Sequence, residues 1–155
     1  MIEVSTNLMS TPLPSKTKQR KLCFVPDKQL SRYVYTALNY AVFEGKLNQT
    51  TPISHRSMYS NWGNFSGYIV KEHRLSKIRI LPKYFCVQWF VTILAHEMIH
   101  AYQWEILRSD VKLVDHGESF LALRPAFRQF GIPVTEHHNV VEWFKTQDIL
   151  SVESE

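Results

Sequence analysis

The sequence predicts a single α+β domain in which a small three-stranded sheet packs beside a central helix. Apolar residues recur with the period of a helix after Pro26, alternate with the period of a strand between residues 51 and 81, and return to a helical period from about Tyr84 onward. The chain of 155 residues is long enough for one hydrophobic core. Its 45% of hydrophobic and 21% of charged residues exclude a wholly disordered chain or a coiled coil.

The first predicted helix follows Asp27, whose carboxylate can accept hydrogen bonds from the free amide groups of the first turn. Gly45 suits the C-terminal end, because glycine readily adopts the left-handed conformation found there. The apolar residues at helical spacing are Leu30, Val34, Ala37, Leu38 and Ala41. We expect this stripe to pack in the core rather than to bind a ligand.

Three short segments between residues 51 and 81 place every second residue on one side, as a strand does. The residues on these sides are Ile53, His55, Ser57 and Tyr59 in the first segment, Phe65, Gly67 and Ile69 in the second, and Ile78 and Ile80 in the third. Turn-forming residues at 61–64 and 72–74 separate the segments. Three such strands in succession predict an antiparallel or mixed sheet.

The last part of the chain predicts three helices. The first runs from about residue 84 to residue 107 and is rich in apolar and aromatic residues, which is typical of a buried helix. The second ends near Gly131, and Pro125 is expected to kink it. Its apolar residues at helical spacing are Phe120, Leu123, Phe127 and Phe130. A short extended piece follows at 132–135, and Asn139 can open the third helix.

The ends of the chain differ from its middle. Residues 1–21 are polar and contain Lys and Pro, so we expect a disordered basic tail, and residues 151–155 form a short acidic tail. This leaves residues 22–150 as the folded domain. The N-terminus lacks the order of a secretory signal, no apolar run could cross a bilayer, and the two cysteines favour reduced thiols over a disulfide. We therefore expect an intracellular protein, in the cytoplasm of a bacterial or virus-infected cell or in a eukaryotic nucleus, without a membrane partner.

Charge is distributed unevenly along the chain, whose formal net charge is +4. Residues 1–83 carry 13 Lys and Arg against 4 Asp and Glu, whereas residues 84–155 carry 5 against 10. The basic part could face phosphates. Solvated lysines that cover one face of a sheet would explain the same charge equally well.

The predicted central helix contains a His-Glu-x-x-His motif formed by His96, Glu97 and His100. Two His residues four positions apart lie on one helix face, about 6 Å apart along the axis, so both imidazoles can share one tetrahedral zinc ion. Glu97 lies further round the helix, where it can reach a water held by the ion and act as a general base. The motif also occurs by chance, but burying a Glu between two His residues is costly without a compensating cation.

The third ligand distinguishes the classes of protein that share this motif. One class has a His six residues after the second motif His, but position 106 is Ile. Glu118 would be the ligand in another class. His116 is the better candidate, because Gly117 beside it allows a close approach of the backbone. Three His ligands would leave a fourth position for water, as in catalytic zinc sites. The alternative is that all three are ordinary helix-surface or core residues.

Four further His residues lie outside these motifs. His55 and His73 fall in the strand region and are expected at the surface. His137 and His138 lie close enough to the end of the domain to fold over the site, as an extra ligand or a group that stabilises an oxyanion. A solvated polar turn is the other interpretation of this pair.

Three segments together resemble the SprT-like, or Spartan, metalloprotease domain over roughly residues 28–140. They are FEGKL at 43–47, HEMIHA at 96–101 and HGESF at 116–120. The first His motif is shared with many zinc proteases, whereas the HGESF element is much more particular to this family. The resemblance implies a zincin-like fold, in which a twisted sheet packs beside the active-site helix.

The resemblance also implies a function. His96, His100 and His116 would hold one zinc ion, and Glu97 would be the catalytic base of an endopeptidase. Family members cleave proteins crosslinked to DNA, so the expected partners of this monomer are a protein substrate and single-stranded or damaged DNA, in a role in DNA repair. The basic residues that would suit DNA contacts are Lys71, Arg74, Lys77, Arg79 and Lys83. Because the Cys-rich segment of many members is missing, the alternative is a DNA-associated binding module with a structural zinc.

Overall fold

A computed structural model gives the positions of residues 4–5, 22–58, 61–110, 114–136, 138, 140, 141, 143 and 145. The elements it describes are β1 (Val4–Ser5), α1 (Lys28–Phe43), β2 (Ile53–His55), β3 (Gly63–Val70), β4 (His73–Ile80), α2 (Val87–Glu105), α3 (Glu118–Leu121) and α4 (Arg124–Arg128). The backbone at residues 140, 141, 143 and 145 is also helical. The predicted α+β class is confirmed.

The strands form one mixed sheet in the order β1-β3-β4-β2. β3 pairs antiparallel with β1 and β4, whereas β2 pairs parallel with β4. β2, β3 and β4 are the three strands that the sequence predicts. β1 adds two residues at one edge, and these belong to the segment 1–21 that was expected to be a tail. The other residues of both predicted tails, at 1–21 and 151–155, lie outside the described residues.

The hairpin between β3 and β4 turns at Lys71–Glu72, where φ is 49° and 69°. Two successive residues with positive φ give a turn whose twist matches that of the flanking strands. The predicted turns at 61–64 and 72–74 were therefore wrong in their boundaries, because residues 63–64 already belong to β3 and residues 73–74 to β4.

α1 begins and ends where the sequence predicts. Oδ1 of Asp27 accepts a hydrogen bond of 2.7 Å from the amide of Leu30, which caps the first turn. At the other end Glu44 and Gly45 both have positive φ, of 56° and 74°. The chain leaves the helix there through the left-handed conformation that commonly ends a helix.

The buried face of α1 differs from the predicted stripe, since Ala37 and Ala41 are exposed. Tyr35 and Asn39 are buried in their place because hydrogen bonds satisfy their polar atoms. The Tyr35 hydroxyl donates to the carbonyl of residue 48 at 2.6 Å, and the Asn39 side chain bonds both backbone groups of residue 47 at 2.9 and 3.0 Å. Apolarity alone could not identify this face.

α2 packs against one face of the sheet and is buried along most of its length, as predicted. It starts three residues after the expected position, with the extended residue Cys86 at its N-terminal end. Near its C-terminal end the Trp104 indole donates to the carbonyl of Leu75 in β4 at 3.0 Å. Gly67 of β3 lies so close to this indole that an added Cβ would approach it to 2.8 Å. These contacts fix α2 firmly on the sheet.

The region after residue 117 forms two short helices, not one kinked helix. Pro125 lies in the first turn of α4, where its missing amide costs no hydrogen bond, so it begins a helix instead of bending one. Phe120 and Phe127 are buried, whereas Phe130 is exposed. The predicted start of the last helix, Asn139, lies outside the described residues. Trp143 beyond it is buried and packs against Trp89 of α2, with 5.1 Å between the centroids of the tilted rings.

Two smaller observations concern the cysteines and the membrane. Cys23 and Cys86 are free thiols, as the sequence analysis favours. Among the helices in the described part of the chain, none combines the length and apolarity that a bilayer span requires.

Candidate metal centre

Three imidazoles meet at one point beside α2. His96 and His100 project from adjacent turns of α2, and His116 approaches from the loop that leads into α3. Their Nε2 atoms lie 2.9 Å (His96 to His116), 3.2 Å (His100 to His116) and 3.3 Å (His96 to His100) apart. All three side chains are almost fully buried. The structure thus brings together the three residues that the sequence predicts as metal ligands.

The spacing of these nitrogens fits a small metal ion. In a tetrahedral site with metal–nitrogen distances of about 2.0–2.1 Å, neighbouring ligand nitrogens are about 3.3 Å apart. The three Nε2 atoms, at 2.9–3.3 Å from one another, come close to this arrangement. Three converging lone pairs would repel one another in a buried space, and a shared cation removes that repulsion. These residues could therefore hold one metal ion.

Hydrogen bonds on the far side of two rings fix their orientation. Nδ1 of His96 donates to the carbonyl of Thr135 at 2.9 Å, and Nδ1 of His100 donates to Oε1 of Gln103 at 2.8 Å. Because both acceptors require a proton on Nδ1, each Nε2 keeps its lone pair free for a metal. Such outer partners normally orient metal-binding His residues.

Gln103 also holds the loop that carries the third imidazole. It lies one turn after His100 on α2, and its amide nitrogen donates to the carbonyl of Asp115 at 3.0 Å and to Oγ of Ser119 at 2.8 Å. These two acceptors flank His116 in the sequence. One side chain therefore links the motif helix to both sides of the third ligand.

Phe120 forms an apolar wall against the centre. Its ring centroid lies 4.8 Å from that of His96, 5.2 Å from that of His100 and 4.9 Å from that of His116. The side chain is fully buried. It excludes water from one side of the three rings, and a low local dielectric strengthens the interaction between the ligands and a cation.

Burial also determines the protonation state of the imidazoles. Desolvation lowers the pKa of His96 well below its usual value, and the neighbouring His residues lower it further. Desolvation lowers the pKa of His100 to about 4, although the charge of Glu97 acts in the opposite direction. Both rings are therefore neutral near pH 7, which is the form that binds metals.

Glu97 and His138 lie on another side of the same centre. The Glu97 side chain is 0% exposed, and neither of its oxygens has a hydrogen-bond partner among the described residues. Nε2 of His138 lies 3.5 Å from Oε1, a distance at which the two groups form an ion pair when the imidazole is protonated. An isolated buried carboxylate is strongly unfavourable, and a metal ion beside it would offset this cost. His96, Glu97 and His138 form a second group whose ligand atoms lie within 4.8 Å of one another.

His138 is thus part of the site, 4.4 Å from His96 between ring centroids and 1% exposed. The interpretation of this residue as a solvated turn was wrong, because the chain after Gly131 returns to α2. His137 lies outside the described residues. His55 is not part of the site. Its Nε2 forms a hydrogen bond of 2.8 Å with Oγ of Ser31 in α1.

Gly63, the first residue of β3, allows the sheet to approach the carboxylate-bearing side chain of Glu97. An added Cβ at Gly63 would lie 2.5 Å from Cγ2 of Ile93 and 3.3 Å from Cγ of Glu97. Only a residue without a side chain allows the start of β3 to come this close to α2. The start of β3 therefore packs directly against the Glu97 side chain.

The five predicted basic residues do not form one cluster. Arg74 faces α2, where its guanidinium donates to the carbonyls of Trp104 at 3.2 Å and Ser109 at 2.6 Å and lies 4.2 Å from the Trp104 ring centroid. Lys77 and Arg79 point to the other face of β4 and are exposed. The predicted basic residues that are exposed are Lys71, Lys77, Arg79 and Lys83. Arg74 therefore anchors the end of α2 and is turned away from the rest.

Three features of the site were not predicted. Gln103 could have been found, because it lies three residues after His100 and thus on the same helix face. Thr135 contributes a backbone carbonyl, which no sequence pattern identifies. The contact of Phe120 with all three rings follows from the path of the loop before α3.

The fold and the site together define a class: an α+β protein with a buried three-histidine centre on a His-Glu-x-x-His helix. Neither a family model, nor a curated protein, nor a solved structure matches the chain. The function is therefore argued from the site itself.

Proposed function

We propose that this chain is a zinc-dependent endopeptidase of the SprT-like type, with one zinc ion held by His96, His100 and His116. The observation that carries the proposal is the convergence of three Nε2 atoms within 3.3 Å beside the buried carboxylate of Glu97, which accepts no hydrogen bond from the described residues. Neutral imidazoles in a tetrahedral arrangement suit zinc, and three protein ligands leave a fourth position for chemistry.

When bound, zinc supplies Lewis acidity toward both the attacking water and the carbonyl of the scissile peptide bond. Glu97 accepts a proton from that water as the new carbon–oxygen bond forms. The same carboxylate then delivers the proton to the amine nitrogen as the carbon–nitrogen bond breaks. Neither oxygen accepts a hydrogen bond from the described residues, which leaves both available for this transfer.

His138 has a role in the same reaction. Its Nε2 lies 3.5 Å from Oε1 of Glu97, and its ring centroid lies 4.4 Å from that of His96. A donor at this place stabilises the negative charge that develops on the carbonyl oxygen. Phe120 and His138 are both buried beside His96, so this interaction operates in a low dielectric.

The substrate class is protein, and DNA-bound protein is the specific proposal. The exposed side chains of Lys77 and Arg79 lie side by side on the outer face of β4, and they support a DNA contact beside the domain. Arg74 is excluded from this surface by its bonds to α2.

The test compares zinc-loaded wild-type protein with Glu97→Gln, with and without single-stranded DNA, on a DNA-binding protein as substrate. We expect both to hold zinc and the wild type to cleave at least about 10²-fold faster, the usual contribution of a general base. Stimulation by DNA would support the DNA-bound substrate class. Equal cleavage by both proteins would refute the role of Glu97, and loss of zinc in Glu97→Gln would identify this residue as a ligand.

A second candidate function is a DNA-associated binding module with a structural zinc. The observation that favours it is the enclosure of the centre, since the exposed fractions of His96, Glu97, His100, His116 and His138 are only 0–4%. Structural zinc sites are closed in this way. Intact substrate in every lane with zinc bound, and salt-sensitive DNA binding unaffected by Glu97→Gln, would favour this module.

A further inference from the structure

A cavity of about 440 Å³ lies between α4 and the chain that follows it. Its lining residues are Leu121, Arg124, Pro125, Arg128, Pro133 and Val134. Two of them directly neighbour residues of the centre in the sequence. Leu121 follows Phe120, which contacts all three imidazoles, and Val134 precedes Thr135, whose carbonyl accepts from His96. The cavity is therefore lined by the two chain segments that contact the centre.

The charges of the cavity come from two arginines. Arg124 and Arg128 are four residues apart on α4, so their side chains lie on the same helix face about 6 Å apart along the axis. Neither forms an ion pair within the described part of the chain, where the two ion pairs join Lys46 to Glu44 and His138 to Glu97. Two unpaired guanidinium groups at one cavity repel each other, and a shared anionic group relieves that repulsion.

The rest of the lining is apolar, and this selects among anionic ligands. Leu121, Pro125 and Val134 offer contacts to hydrocarbon rather than to further charge. The composition of this half of the chain disfavours a polyanion, because residues 84–155 carry 10 Asp and Glu against 5 Lys and Arg. A single carboxylate on a short aliphatic stem, as in Glu, matches both parts of the lining.

We infer that this cavity is a specificity subsite that binds an acidic side chain of the protein substrate through Arg124 and Arg128. The inference rests on the proposed peptidase function, since it assumes a peptide held at the centre. It adds a preference that the metal ligands cannot provide: an acidic residue at one fixed distance from the scissile bond.

The test uses binding, so that it does not depend on cleavage. Ten-residue fluorescein-labelled peptides of Ala and Gly, each with a single Glu at a different position, are titrated into zinc-loaded Glu97→Gln protein by anisotropy. A second panel has Gln in place of Glu. We expect one Glu position to bind about tenfold more tightly than its Gln match, because a charge-assisted hydrogen bond exceeds a neutral one.

Variants of the cavity then test whether Arg124 and Arg128 cause the preference for Glu over Gln peptides. Arg124→Gln and Arg128→Gln should each abolish the difference between Glu and Gln, whereas Arg108→Gln, at an exposed arginine outside the cavity, should retain it. Arg128→Glu should transfer the preference to a Lys peptide. Thermal unfolding and zinc content of each variant exclude misfolding as the cause.

Two results would overturn the inference. One is equal binding of Glu and Gln peptides at every position. The other is tight binding of a thymidine oligonucleotide that depends on Arg124 and Arg128, with no peptide preference, which would assign the cavity to nucleic-acid phosphate. If the Glu preference is found but wild-type protein cleaves none of the peptides or protein substrates, the peptidase proposal fails and the subsite stands as a peptide-binding site.

Discussion

Gln103→Leu is the most informative single change, because it leaves all three metal ligands in place. Leucine is close in size to glutamine but removes the acceptor for His100 at 2.8 Å and the donor to Asp115 and Ser119 at 3.0 and 2.8 Å. The Nδ1–H of His100 would then be buried without a partner. The ring could rotate or change tautomer, and the loop that carries His116 would lose its link to α2.

The expected losses of zinc affinity and of stability in Gln103→Leu follow from these three hydrogen bonds. Loss of an outer partner of a metal-binding His typically weakens metal affinity by about 10- to 100-fold, equivalent to about 1.4–2.8 kcal/mol. An unsatisfied buried donor costs about 1–3 kcal/mol in the protein without metal as well. We therefore expect a lower zinc affinity and a lower free energy of unfolding in the same variant.

The assay is zinc competition with a chromophoric chelator, followed by urea unfolding of the metal-free protein. Gln88→Leu is the matched control, because Gln88 lies on an exposed part of the same helix. Gln103→Glu keeps an acceptor for His100 and should retain more affinity than Gln103→Leu. A zinc affinity for Gln103→Leu within about twofold of the control would refute the role assigned to this side chain, since outer-shell losses are larger.

Two further predictions concern the packing and the pH dependence of α2. Gly67→Ala would place Cβ 2.8 Å from the Trp104 indole, so we expect thermal unfolding to show about 1–3 kcal/mol of destabilisation; an unchanged melting temperature would contradict this contact. Burial raises the pKa of Glu105 above 4.5, although its hydrogen bond from Ser76 lowers it. The folded state therefore binds the proton of the Glu105 carboxyl more tightly than the unfolded state does. The contribution of Glu105 to the free energy of unfolding then falls as the pH rises from 4.5 through the raised pKa. Glu105→Gln should flatten that decline in urea unfolding measured at several pH values, and an identical slope in both proteins would disprove it.

Local geometry explains which parts of the site were predictable. The spacing of His96 and His100 places both on one helix face wherever the helix lies in the fold. The three-residue spacing from His100 places Gln103 on that face as well. Asp27 likewise predicts the start of α1, because capping depends on the nearest three residues. His116 was predicted from the motif around it, and the structure places it with the other two.

Tertiary contacts explain what could not be predicted. Asn39 is buried because the loop after α1 folds back and bonds its side chain. His138 and the carbonyl of Thr135 reach the centre because the chain after α4 returns along α2, and no periodicity encodes that path. In each case, contacts with residues distant in the sequence decide which groups are buried, and local sequence patterns do not report such contacts.

The chemistry of Glu97 bears on the choice between a catalytic and a structural zinc. A structural site needs a complete set of ligands, and His138 is near enough to contribute to one. The stability of such a site does not require the buried carboxylate of Glu97 beside the ion. An apolar residue of similar size at position 97 would avoid the cost of desolvating that carboxylate. Proton transfer, in contrast, requires a carboxylate whose oxygens are not engaged by other donors, which is the state of Glu97 among the described residues. The buried carboxylate of Glu97, which accepts no hydrogen bond from the described residues, therefore supports the proposed hydrolysis over a purely structural zinc.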